Sequence, residues 1–68
     1  MNELAIWIDE TRSLIYFVTN ENTAEEALED FYKRGWSVGI NTDNLLISHV
    51  VLRDENYNDI DTYEVGMS

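Results

Sequence analysis

Three apolar runs in this 68-residue chain do not alternate, and that constrains the fold more than any other feature. They are residues 4–8 (Leu-Ala-Ile-Trp-Ile), 14–18 (Leu-Ile-Tyr-Phe-Val) and 45–52, the last broken only by Ser48 and His49. Successive side chains of a strand point to opposite faces of its sheet. An antiparallel strand with one wet face therefore alternates apolar and polar residues. Here Leu4, Ile6 and Ile8 take one face and Ala5 and Trp7 the other. Leu14, Tyr16 and Val18 oppose Ile15 and Phe17, and Leu45, Ile47 and Val51 oppose Leu46, Val50 and Leu52. Both faces of the resulting sheet need cover.

Only one segment has a helix pattern. Thr23 is a good N-cap, and Glu26 three residues on completes a capping box. Ala24, Ala27, Leu28 and Phe31 then fall at i, i+3, i+4 and i+7, one face of a helix. Lys33 and Arg34 occupy its last turn, where cations favour the negative end of the dipole. Gly35 is expected to close it in the C′ position. Ahead of the helix, the runs 4–8 and 14–18 read as a hairpin around the polar Asp9-Glu10-Thr11-Arg12. After it, Trp36 to Ile40 could add a short strand weakened by Gly39, and Asn41 to Asn44 reads as a turn. Strands follow at 45–52 and 60–65, around a polar turn at 54–59. The expectation is a single α+β domain over residues 1–68. It has an antiparallel sheet of four or five strands with one helix on one face, in the order ββαββ or ββαβββ.

A single helix covers one face only, and a chain this short has no second layer to offer. About 60% of the unfolded surface is buried by a domain of this size, which leaves the core marginal. Disulfides cannot supplement it because there is no Cys, and His49 is the only His, so no zinc cluster is available. A homodimer is the expected remedy. Loop residues 35–44 and long aromatic side chains folding over the second face are the alternative. The content of 44% hydrophobic residues argues for a folded chain despite its charge. Met-Asn-Glu-Leu at the start is not a signal peptide. No apolar run reaches the roughly 18 residues of a membrane span. The expected location is the cytoplasm.

Catalytic chemistry finds little foothold. His49 lies in an apolar run without a Cys or Ser arranged beside it, and a nucleophile–base–orienter set needs converging groups. The carboxylates fall in expected turns and on the helix surface, where they stay ionised rather than splitting into acid and base. The expectation is a protein that is not an enzyme and needs no cofactor. Asp54-Glu55-Asn56-Tyr57-Asn58-Asp59 spaces oxygen ligands like the start of a calcium loop. Its sixth position is Asp59 where glycine is needed, however, and its twelfth is Val65 where a bidentate Glu is needed. It reads as a solvated turn, and no metal is expected.

The charge is the informative residue of this elimination. Fourteen Asp and Glu stand against four Lys and Arg, a net of −10. A surface that binds phosphates needs the opposite sign, so nucleic acid as a direct partner is disfavoured. Solubility accounts for a net charge of about 2–8 in a small domain. A larger excess costs stability through self-repulsion. A compact chain of this length has a radius of gyration of roughly 11 Å and is about 28 Å across. Duplex DNA of that length carries about 16 phosphates, a comparable linear charge density. Carboxylates two apart on a strand, such as Asp59 and Asp61, lie about 6.7 Å apart, close to a phosphate spacing. The candidate partner-binding residues are Glu25, Glu26, Glu29 and Asp30 on the helix, and Asp54, Glu55, Asp59 and Asp61 near the C-terminus.

In size, acidity, lack of Cys and aromatic-rich strands the chain resembles the small phage-encoded DNA-mimic inhibitors. That group includes uracil-DNA glycosylase inhibitors, several anti-CRISPR and anti-restriction proteins, and a Bacillus phage inhibitor of the nucleoid protein HU. The likeness lies in the character of the whole chain and in no shared motif. It implies an inhibitor that occupies the DNA-binding surface of a basic host protein such as HU. A second, local resemblance lies in Thr23-Ala24-Glu25-Glu26-Ala27-Leu28 after a hairpin. This stretch is similar to the helix start of HicB-type antitoxins, and implies an antitoxin-like or generic dimerisation module. The Gly-Asp and Pro-rich segment that usually precedes that helix is replaced by Asn20-Glu21-Asn22.

Overall fold

The computed structural model describes residues 1–8, 13–39 and 46–65. The elements run β1 (Asn2–Ile8), β2 (Ser13–Thr19), α1 (Ala24–Arg34), a 3₁₀ turn (Gly35–Val38), β3 (Ile47–Arg53) and β4 (Asp59–Glu64). The four strands form one antiparallel sheet in the order β2-β1-β3-β4. The α+β class and the ββαββ order expected from the sequence are what the chain adopts. The expected turns at 9–12 and 41–44 lie outside the described residues.

Helix α1 begins as its sequence dictates. Thr23 is extended, and its hydroxyl accepts from the Glu26 backbone N–H at 3.2 Å. The Thr23 hydroxyl also donates to the Glu26 carboxylate at 3.1 Å. Ala24, Ala27, Leu28 and Phe31 are all buried, so the i, i+3, i+4, i+7 stripe is the face laid on the sheet. The C-terminus departs from expectation. Gly35 is right-handed helical (φ −57°, ψ −35°), and the chain continues as a 3₁₀ turn over Gly35–Val38 instead of a fifth strand. The glycine that reverses the chain is Gly39, at φ +84°. A Cβ there would meet nothing within 4 Å, so backbone conformation alone calls for glycine.

The core lies between α1 and one sheet face, and contains Leu4, Ile6, Ile8, Phe17, Leu28, Phe31, Ile47, Val50 and Leu52. The Phe17 and Phe31 rings meet edge to face at 5.4 Å, an arrangement the ring quadrupoles favour. Ile47 corrects the alternation expected for 45–52, which set it on the face of Val51. Trp7 pairs with His49 but Ile8 pairs with Ile47, so Ser48 is an extra residue in β3. Such a bulge flips the parity of everything before it, and Ile47 turns into the core beside Val50 and Leu52.

The second sheet face carries Glu3, Ala5 and Trp7 from β1 and Leu14, Tyr16 and Val18 from β2. The register places His49, Val51 and Arg53 of β3 beside them, then Asp59, Thr62 and Glu64 of β4. No element among the described residues lies over it. Tyr16 and Val18 are 51% and 53% exposed, and Leu14 and Ile60 are also open to solvent. Trp7 stacks on His49 at 4.6 Å, and the Arg53 guanidinium lies 5.9 Å from the Tyr16 ring centre.

Candidate functional site

The topology gathers acids that are far apart in sequence. Asn2 pairs with Thr19, Glu3 with Arg53, and Arg53 with Asp59. The start of β1, the end of β2 and the β3–β4 turn therefore share one end of the sheet. Helix α1 starts at that same end, since the Ala24 N–H donates to the Asp61 carboxylate at 2.7 Å and Asn2 Nδ2 donates to the Glu21 carbonyl at 2.8 Å. Glu3, Glu21, Glu25, Glu26, Asp54, Glu55, Asp59 and Asp61 thus converge at one end of the molecule. These are eight of the chain's fourteen acids. The basic residues of α1, Lys33 and Arg34, stand at the other end of the helix.

The eight candidate carboxylates differ in how free they are. Glu25, Glu26 and Glu29 are exposed on α1 and form no ion pair among the described residues. Asp30 is committed to the fold. Both its oxygens receive the Arg34 guanidinium at 2.6 Å, and the buried Thr19 hydroxyl donates to one of them at 2.8 Å. The Arg34 hydrogen bonds, supported by Thr19, hold the Asp30 pKa below its ordinary value. Glu29 and Lys33, also four apart on α1, do not close to an ion pair, whereas Asp30 and Arg34 do.

The C-terminal acids are also engaged. Asp54 accepts from the backbone N–H groups of Asn58 at 3.0 Å and Asn56 at 2.9 Å, and these bonds lower its pKa. Its oxygens organise the turn, which explains why a calcium-like spacing here serves the backbone instead. Tyr57 in that turn adopts φ 65°, the left-handed region that side chains seldom occupy. Glu55 accepts from the chain's amino terminus at 2.9 Å, and its pKa is lowered by that contact. Asp59 lies 3.4 Å from Arg53 Nε, but the geometry is not that of a hydrogen bond, and this buried N–H has no other partner. Asp61 caps the helix. Sequence reasoning missed that role because the cap comes from 37 residues away.

An open depression of about 200 Å³ lies along α1, lined by Glu21, Glu26, Glu29, Asp30 and Lys33. Four carboxylates surround one ammonium there. His49 is held by its ring stack on Trp7, and its Nδ1 meets the Ser48 hydroxyl at 3.1 Å. Among the described residues no group of three or more acids, His or Cys is placed to hold a metal ion. Among the described residues no helix is long and apolar enough to cross a membrane. Compared with protein-family models, curated proteins and solved structures, the chain matches none.

Proposed function

We propose that the protein is a DNA-mimic inhibitor, a binding module rather than an enzyme. It acts in the cytoplasm and blocks the DNA-binding surface of a basic protein. The observation that supports this reading is the convergence of eight carboxylates from β1, α1 and the β3–β4 hairpin at one end of the domain. Several of them, Asp54, Asp59 and Asp61, are anchored by hydrogen bonds or an ion pair. Fixed charges suit mimicry, since a basic groove built for a stiff phosphate array loses less entropy on binding a rigid one. The exposed Glu25, Glu26 and Glu29 supply the charges that a partner can reach without breaking the fold. Asp54, Asp59 and Asp61 shape the field around them.

The nucleoid protein HU is the target of choice. It is basic and grips DNA largely through the backbone, so charge and shape are enough to compete for it. The test is a gel shift of HU on a short duplex, with this protein titrated in at low salt. The HU–DNA complex is expected to disappear as the protein is added, and the affinity of the protein for HU to fall as salt rises, because contacts between exposed charges are screened over about 8–10 Å. Undiminished HU–DNA complex at large excess in low salt rules HU out. The same outcome across a panel of basic DNA-binding proteins removes the mimic reading altogether.

A further inference from the structure

We propose that the open sheet face is a self-association surface. On it a second copy of the chain stacks about a two-fold axis that runs parallel to the strands between β1 and β3. This inference is independent of the inhibitor reading and stands or falls separately.

The face has the chemistry of an interface core. Among the described residues, the register sets the acids Glu3, Asp59 and Glu64 on it, with Arg53 as their counterpart. Leu14, Tyr16 and Val18 of β2 stand exposed on it, with Leu14 beside the Trp7–His49 stack. A basic macromolecule is drawn to the opposite, helix-bearing side and to the acidic end, and finds little to pair with here. A second copy does. Stacking the two sheets puts each α1 on the outside, with helix, sheet, sheet and helix spaced by about 10 Å each. The two acidic helices are then about 30 Å apart, several Debye lengths at physiological salt. The net charge of −10 therefore does not oppose contact through this particular face.

The register selects the axis. The sheet order β2-β1-β3-β4 has its centre line between β1 and β3, and rotation about that line lays β1 of one copy over β3 of the other. Because Glu3 and Arg53 are register partners within one chain, the rotation sets Glu3 of each copy opposite Arg53 of its mate. That adds a second carboxylate to a guanidinium already 3.4 Å from Asp59, whose Nε has no hydrogen bond among the described residues. The same rotation sets Ala5 opposite Val51, a small side chain against a branched one. An axis across the strands instead puts Glu3 over Trp7 and Arg53 over His49, losing the charge pair. Seven-residue strands in a four-stranded sheet present a face of roughly 20 by 23 Å. Two such faces bury on the order of 1,000 Å², the lower bound for a specific interface.

Light scattering on a size-exclusion peak at about 100 μM tests the proposal. The expected mass is twice the 7.9 kDa of the chain. Tyr16→Glu, at an exposed position, should halve that mass while circular dichroism retains the helix signal. A wild-type mass of 7.9 kDa, or a folded Tyr16→Glu variant that still has the doubled mass, overturns the proposal. Two further variants make the test independent of that one side chain. Glu3→Arg and Arg53→Glu each set like charges opposite one another in their own homodimers and should run as monomers. Mixed in equal amounts they should recover the doubled mass, because each then meets its complement. Failure of the mixture to associate overturns the proposed axis.

Discussion

The Asp61 carboxylate on β4 accepts the Ala24 backbone N–H at 2.7 Å, so an acid 37 residues downstream caps the first turn of α1. The first N–H groups of a helix have no partner within it and carry the positive end of its dipole. A carboxylate from a neighbouring strand satisfies one of them and fixes the angle at which α1 crosses the sheet. Asp61→Ala should therefore cost about 0.5–2 kcal/mol, the range of lost caps, read as a shift in the urea midpoint. A midpoint equal to wild type would show that Asp61 is a free surface charge.

Thr23 caps the same helix end from within the segment. Thr23→Ala should also cost about 0.5–2 kcal/mol. Phe31, fully buried against Phe17, is the heavier anchor, and Phe31→Ala should cost about 3–5 kcal/mol. Equal and negligible shifts for both in urea unfolding would contradict the packing of α1.

Much of this was legible in the residues. The start and buried face of α1 follow from the Thr23 cap and the spacing of Ala24, Ala27, Leu28 and Phe31, because both signals are local. The alternation of 4–8 and 14–18 separates core from open face correctly, since Leu4, Ile6 and Phe17 are buried while Tyr16 and Val18 are exposed. What local pattern cannot carry is the outcome of a pairing. Ser48 becomes a bulge only when β3 meets β1, and that pairing turns Ile47 inward. Gly35 looks like a helix stop, but the chain can tighten into a 3₁₀ turn and leave the reversal to Gly39. Of the candidate acids, Asp30, Asp54, Glu55, Asp59 and Asp61 have partners in the fold. The meeting of Glu25 and Glu26 with the C-terminal four at one end depends on the order β2-β1-β3-β4, while Glu29 and Asp30 lie further along α1.

The Thr19–Asp30–Arg34 cluster predicts a pH dependence. The folded pKa of Asp30 is lowered by the Arg34 guanidinium and the Thr19 hydroxyl. Its contribution to stability is therefore fully present above the unfolded carboxylate value of about 3.9. It is lost as pH falls through the lower folded value. Asp30→Asn should lower the urea midpoint at pH 7, and the gap from wild type should narrow below about pH 4. A gap that stays constant down to pH 2 would mean that Asp30 gains nothing from its charge.

Gly39 offers a test that touches no side chain. Its φ of +84° suits glycine, and no neighbouring atom limits a larger residue. Gly39→Ala should destabilise by about 1–2 kcal/mol through backbone strain alone. A neutral effect in urea would mean that the chain reverses there by another conformation.

The central claim is that acids at the helix-bearing end, and not net charge in general, compete with DNA for a basic protein. Displacement of HU from a short duplex by three proteins tests it: wild type, Glu25→Gln/Glu26→Gln, and Glu64→Gln on the open sheet face. Exposed charge pairs are worth about 0.2–1 kcal/mol each, so the helix double variant should need a concentration about 2- to 30-fold higher for half-displacement. Glu64→Gln should match wild type. Equal potency of all three, or no displacement by any, would contradict the claim.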